Sequence, residues 1–268
     1  MDLSLLWNLF YVLTLALGSR SAHFSARRSN SNCQPFHSTF DPSEVSRSNS
    51  GDTPFAVVSP KNSVKAGDDG LQLFLDKPSG QIKQKENTNS KVAEGATVNS
   101  TFTVLYGKVT FELAGPAVAG IVTAAIMIAE GHDEIDIELV GGDPSHWQTN
   151  VFTSDPKDDE PLYGVFGGIE DYSTKASVDE FHEYSIDWNE ERIIWGVDGS
   201  AVRTLNREDT RENGVLHYPS HAARIQLGIW DASFPAGTSE WARGPIDWNQ
   251  APPRMAAIFK SVSIECPY

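Results

Sequence analysis

Three acidic residues separated by single aliphatic ones form the segment of this sequence best equipped for chemistry. Residues 131–141 read GHDEIDIELVG, in which Glu134, Asp136 and Glu138 alternate with Ile135, Ile137 and Leu139. On a β-strand successive side chains point to opposite faces, so the acids share one face and the aliphatics pack behind them. Like charges at close range raise at least one pKa, a cost that a purely structural strand has no reason to bear. Two glutamates on one face supply a nucleophile and an acid/base for breaking a glycosidic bond with retention. Their Cα atoms would lie ~13 Å apart at ~3.3 Å per residue, and leaning side chains reduce this toward the ~5–5.5 Å needed for retention. Asp136 between them is placed to hydrogen-bond the nucleophile, and its charge is expected to keep Glu138 protonated. The alternatives are a solvated acidic strand or a calcium site. Calcium loops use Gly with Asn or Asp at turn positions, which EIDIE does not offer. His132 has the parity of Glu134 and joins the acid face if the strand reaches back that far. No second His or Cys stands at ligand spacing from it, so no metal is expected.

Residues that could hold a sugar beside those acids recur with period two. Gln148, Asn150 and Phe152 in QTNVF form one such set, and Arg224, Gln226, Gly228 and Trp230 another. Amide and guanidinium groups hydrogen-bond sugar hydroxyls, a glycine lets a ring approach the backbone, and an indole stacks on a pyranose face. An ordinary exposed face, with Trp230 in the core, is the other reading. Residues 231–248 (DASFPAGTSEWARGPIDW) follow, rich in turn formers and aromatics, with Thr238, Trp241 and Trp248. They form a candidate cleft wall on a loop.

The surrounding elements read as β-strands. Residues 70–76 (GLQLFLD) alternate cleanly, and 101–113 are rich in β-branched and aromatic residues, which suit a pleated surface. The apolar run 120–129 (GIVTAAIMIA) reads as a buried strand. Segments EYSIDW and IIWGV are joined by Asn189-Glu190-Glu191-Arg192, and the second ends in the hairpin signal Asp198-Gly199. RIQLGIW and 257–264 supply the last strands. No stretch of ten or more residues shows an amphipathic helical period, and no fixed-length repeat appears. The expectation is an all-β sandwich of two antiparallel sheets.

With these residues in view, the segment Glu134-Ile135-Asp136-Ile137-Glu138, preceded by Asp133 and followed by Leu139-Val140-Gly141, resembles the catalytic signature of glycoside hydrolase family 16. Tyr106-Gly107-Lys108-Val109 and the 184–199 hairpin are similar to that family too, and the likeness runs from about Phe55 to Ile264. It implies a concanavalin-like β-jelly roll, with Glu134 as nucleophile, Asp136 as assisting acid and Glu138 as general acid/base. QLGIWD, GTSEWA and GPIDW further resemble the fungal Crh group, enzymes that cut chitin and transfer the fragment onto β-glucan in the cell wall. That resemblance implies sugar-binding roles for Glu138, Gln226, Trp230 and Thr238. The chain departs from the group in lacking a second cysteine shortly after Cys33 and a Ser/Thr-rich tail with a lipid-anchor signal. The expected activity is a retaining transglycosylase with a chitin donor and β-glucan or chitin acceptors, Trp241 on the acceptor side. A retaining endo-β-1,3(4)-glucanase or chitin hydrolase is the alternative, and a non-catalytic lectin or wall protein the third reading.

Composition bounds partners and compartment. The chain has 268 residues and a formal net charge of −15, which argues against nucleic acid and against anionic membrane surfaces, while neutral polysaccharide remains compatible. Residues 3–17 form an uncharged apolar stretch with Ala16 and Gly18 placed for cleavage. It is shorter than the ~20 residues of a membrane span and reads as a signal peptide over 1–18. Residues 19–268 are then one catalytic domain with a loose N-terminal lead-in, expected to be secreted, monomeric and bound for the cell wall or beyond. The mature chain is not expected to insert in a membrane. Cys33 and Cys266 are the only two cysteines and can pair in an oxidising compartment, a closure worth ~4–5 kcal/mol by chain-entropy arguments. Unpaired thiols are the alternative. Asn99-Ser100-Thr101 is the one glycosylation sequon. No glycine loop for phosphates is present, so no nucleotide or other cofactor is expected.

Overall fold

The computed structural model describes residues 33–47, 52–130, 133–153, 162 and 164–268. The leader expected over 1–18 and the placement of His132 lie outside the described residues. Among the described residues twenty strands follow one another. The first ten are β1 (Phe36–Ser38), β2 (Val45–Ser46), β3 (Phe55–Val57), β4 (Val64–Gly67), β5 (Gly70–Asp76), β6 (Gln84–Lys85), β7 (Thr88–Asn89), β8 (Ala96–Ser100), β9 (Gly107–Ala114) and β10 (Ile121–Ala129). The rest are β11 (Glu134–Val140), β12 (His146–Phe152), β13 (Gly168–Asp171), β14 (His182–Trp188), β15 (Arg192–Val197), β16 (Ser200–Asn206), β17 (Arg211–Glu212), β18 (Val215–Leu216), β19 (Ala223–Asp231) and β20 (Arg254–Glu265). A six-residue helix, α1 (Ala236–Trp241), interrupts the segment after β19.

Two eight-stranded sheets form the sandwich. The acid-bearing sheet runs β13-β12-β11-β10-β19-β8-β3-β2, and the backing sheet β16-β15-β14-β9-β20-β5-β4 with β1 on β20. Among the described residues all ladders are antiparallel except the edge pair of β2 and β3, which is parallel. The jelly-roll sandwich expected from the sequence is therefore present, with that one exception. Ile135, Ile137, Leu139, Ile225, Leu227 and Ile229 face inward from one sheet, and Val109, Phe111, Tyr184, Ile186, Trp188 and Trp195 from the other. Each fully buried large apolar side chain contributes about 1.5–3 kcal/mol.

Where the strand pattern misleads, topology explains it. The β-rich stretch 101–113 is broken, because β8 belongs to one sheet and β9 to the other, and the chain crosses between them. The apolar run after Gly120 is a strand, as expected. It sits between β11 and β19 at the sheet centre and is buried on both faces. Cys33 and Cys266 are disulfide-bonded, with Cα atoms 5.8 Å apart, tying the lead-in to the end of β20 beside the β1–β20 ladder. Among the described residues no helix is long and apolar enough to cross a membrane.

Candidate active site

Strand β11 is paired on both sides, so the acids inherit the register of a central ladder. Across it, Glu134 stands opposite Ile128 and Phe152, Asp136 opposite Ile126 and Asn150, and Glu138 opposite Ala124 and Gln148. The rows continue onto β19, where Arg224, Gln226 and Gly228 pair with Ile128, Ile126 and Ala124. Both polar sets expected from period two thus share the acid face. Glu134 and Asp136 are only 5% and 2% exposed, although their face is the one turned away from the backing sheet. Glu138 is half-buried.

Burial decides the charges. It pushes Glu134 up to about 7, against a hydrogen bond from Asp136 that pulls the other way. Asp136 is raised well above the usual carboxylate range, by burial first and then by the charges of Glu134 and Glu138 and its bond to Glu134. Glu138 is pushed up to about 8 by burial and by the charge of Glu134. Asp136 therefore holds a proton and donates it to Glu134. Spacing alone leads one to expect the charge of Asp136 to keep Glu138 protonated. In the structure that charge belongs to Glu134, because a buried acid flanked by two others is the one that stays neutral. The arrangement offers a Glu134 steadied by a neutral donor and a Glu138 that burial inclines to keep its proton: a base or nucleophile beside an acid.

Supports missed in the sequence hold the strand. Asp133 precedes β11 and accepts hydrogen bonds from the backbone N–H groups of Ser220 and His221 and, at 2.7 Å, pairs with His221 Nδ1. Trp195 Nε1 donates across the core to the Asp136 carbonyl at 3.0 Å. Asp231, buried at the end of β19, accepts from the N–H groups of Ala93 and Ser233 and fixes the start of the following segment. Of these only Asp231-Ala232-Ser233 carried a local signal, an Asx turn.

The segment expected to wall the site folds over the Glu138 end. Trp241 stacks on Trp230 with ring centroids 5.9 Å apart, and its Nε1 donates to Gln148 Oε1 at 2.9 Å. That bond bridges from beyond β19 to β12, over Val122 and Val140, which form a small apolar cluster with Trp230, Ala232 and Ala242. Gln148 and Trp241 are thus brought together, directly beside Glu138. Trp230 is 7% exposed beneath this cover, and Thr238, on α1, is wholly buried, with no hydrogen-bond partner for its Oγ1. Thr238 is therefore not exposed on the acid face. Asn150 accepts the Val151 N–H on its own Oδ1. At Gly228 an added Cβ would meet only the Ala96 carbonyl, at 3.7 Å, so the floor there is low and open. Asn99 lies on β8 opposite Gln226 and Ala56, and a glycan on it would rise from the face that carries the acids.

Known proteins share this frame. The model of glycosyl hydrolases family 16 matches residues 51–250. Crh-like protein 2 of Aspergillus fumigatus is 34% identical over 196 residues, covering 67% of this chain and 41% of that protein. Crh-like protein CRH11 of Candida albicans is 30% identical over 262 residues, 94% of this chain and 52% of its own length. The chain spans about half or less of these curated relatives. Among solved structures, an apo Crh5 transglycosylase aligns with a TM-score of 0.67 at 26% identity, covering 89% of this chain and 90% of that one. A Crh5 transglycosylase in complex with NAG aligns equally, TM-score 0.67, at 25% identity over 88% of this chain and 89% of that one. Bacillus licheniformis β-glucanase, at 20% identity and a TM-score of 0.65 over 88% of this chain and all of that one, shares the fold.

Proposed function

The chain belongs to glycosyl hydrolases family 16, and from that premise we propose that it is a retaining transglycosylase of the cell wall, cutting chitin and passing the fragment to β-glucan or chitin acceptors. The observation that carries the reading is the placing of the acids: Glu134, Asp136 and Glu138 stand at alternate positions of one centrally paired strand, with the polar residues of β12 and β19 in the same rows. In this mechanism Glu138 protonates the leaving glycosidic oxygen while Glu134 attacks the anomeric carbon, forming a covalent glycosyl-enzyme. Glu138 then takes the proton of an incoming sugar hydroxyl, which displaces Glu134. Gln148, Asn150, Arg224 and Gln226 line the face on which donor and acceptor would lie. Thr238 would join them only if α1 shifted.

Transfer outruns hydrolysis when an acceptor hydroxyl is held in place and water is not. The Trp241–Gln148 bond over the apolar patch beside Glu138 supports that outcome. The donor assignment draws on likeness to the Crh proteins and on the NAG found in one Crh5 structure, since NAG is the sugar of chitin. Secretion to the wall belongs to the same reading, and the Cys33–Cys266 disulfide, a feature of oxidising compartments, supports it. Incubating a labelled chito-oligosaccharide with β-glucan tests the whole. Labelled high-molecular-weight product is expected. Label found only in shorter sugars would make the protein a hydrolase, and intact substrate after long incubation would remove catalysis.

A further inference from the structure

Deep in the sandwich, one polar contact joins the two sheets directly beneath the acids. Trp195 sits on β15 of the backing sheet, fully buried, and its indole N–H reaches the backbone carbonyl of Asp136 at 3.0 Å. We propose that Trp195 is a positioning residue for this reaction: it pins the backbone of Asp136 from behind and thereby fixes the hydrogen bond through which Asp136 steadies Glu134. The inference rests on the retaining reading above and extends it to the opposite sheet.

Three observations converge on that contact. The β15–β16 ladder shifts register between Trp195 and Gly196, and such bulges re-aim a side chain. The bulge also requires its glycine, since a Cβ at Gly196 would stand 2.7 Å from the Ser200 carbonyl and 2.9 Å from Ser185 Oγ. Second, the Arg203 guanidinium lies over the Trp195 ring, 4.8 Å from its centroid. That guanidinium is itself tied to the neighbour of the acid strand: Nη1 donates to the Thr149 carbonyl on β12 at 3.2 Å and Nη2 to the Phe166 carbonyl at 2.6 Å. Ring and cation together grip β11 and β12. Third, burial of an indole in this core does not by itself demand such a bond, because Trp147, equally buried, leaves its Nε1 unpaired.

The chemical consequence runs through Asp136. Its proton is donated to Glu134 and holds Glu134 in the ionised form that attacks. A carboxyl on a loosened backbone lengthens that bond, and displacements near 1 Å can cost about 10²-fold in rate. Trp195→Phe keeps a buried aromatic ring and removes the donor together with part of the indole's volume, a loss that Trp147→Phe shares. Expected are a kcat about tenfold lower, an unchanged KM, and an acid limb of the pH–rate profile moved to higher pH, because Glu134 loses the hydrogen bond that lowers its pKa. Trp147→Phe, which deletes an unpaired N–H, should move neither kcat nor limb. Titration of the Glu134 carboxyl by ¹³C NMR reads the same shift without any substrate, so a wrong donor sugar and a wrong role for Trp195 give different results. If Trp195→Phe does not fold, Arg203→Lys, too short to span Thr149 and Phe166, should shift limb and titration in the same direction, by less. A fall in melting temperature with limb and titration unmoved would reduce Trp195 to packing and overturn the proposal.

Discussion

Strand β11 and the segment 232–248 meet beside Glu138, and they are built in opposite ways. Every acid on β11 is placed by ladder hydrogen bonds on both sides, so its position follows from backbone geometry that the whole sheet enforces. The later segment has no ladder: a few backbone bonds, such as Ala232 N–H to the Gly120 carbonyl and Gly120 N–H to the Ala242 carbonyl, anchor it, and the rest are single side-chain contacts, Asn89 Nδ2 to the Ile246 carbonyl, the Ile246 N–H to Ser233 Oγ, and Trp241 to Gln148. Chemistry that tolerates little displacement sits on the part that a sheet makes rigid. The part proposed to choose what enters adds side-chain contacts, such as Trp241 to Gln148, that can change one at a time without moving the acids.

The largest effect expected is on the rigid side. Glu134→Gln removes the proposed nucleophile while keeping its shape, and turnover should fall by about 10³-fold or more with the far-ultraviolet circular dichroism unchanged. The same variant sharpens the electrostatic account. Glu134 is the charge that raises Glu138, so the Glu138 carboxyl should titrate at lower pH in it. A variant retaining most of its activity would transfer the chemistry off β11 altogether.

Stability should show the opposite sign to activity. Glu138 is raised from 4.5 to about 8 by burial first, so between those values the native state holds a proton that the unfolded chain has lost. Unfolding free energy therefore falls as pH rises through that window, and the contribution is complete only below about 4.5. Glu138→Gln removes the group and flattens the slope. Its melting temperature should exceed the wild type's by about 2–6 °C at pH 8 and match it near pH 4.5, while activity is lost. Equal melting curves at both pH values would mean that Glu138 is not penalised by burial.

How much of this was legible follows from the same contrast. Glu134, Asp136 and Glu138 announce a shared face because alternation is a local property of strands, and Gln148, Asn150, Arg224 and Gln226 follow for the same reason. The strands were legible as strands, but which sheet each one joins was not. What sequence could not state depends on distant neighbours. Thr238 is buried because α1 turns it inward. Asn99 reads as a sequon from three adjacent residues, yet its sheet places it beside Gln226. Trp195 looks like any strand tryptophan until β11 is seen beneath it. The choice of which acid keeps its proton depends on burial, which no spacing reveals.

The smallest effect tests the flexible side. Trp241→Phe keeps an aromatic ring near Trp230 and removes the N–H that Gln148 accepts. A neutral hydrogen bond contributes about 0.5–1.5 kcal/mol net, so the cover beside Glu138 should open more often by roughly threefold to tenfold. Water then competes better for the glycosyl-enzyme, and the ratio of transfer to hydrolysis should fall by a similar factor. Total glycosidic cleavage should change by less than about twofold, because no contact of Trp241 reaches Glu134 or Asp136 through the ladder. Product ratios from a labelled donor, scored with and without acceptor, measure both quantities. If cleavage collapsed while the ratio held, Trp241 would belong with the rigid chemistry of β11, and the division between the two regions would fail at that residue.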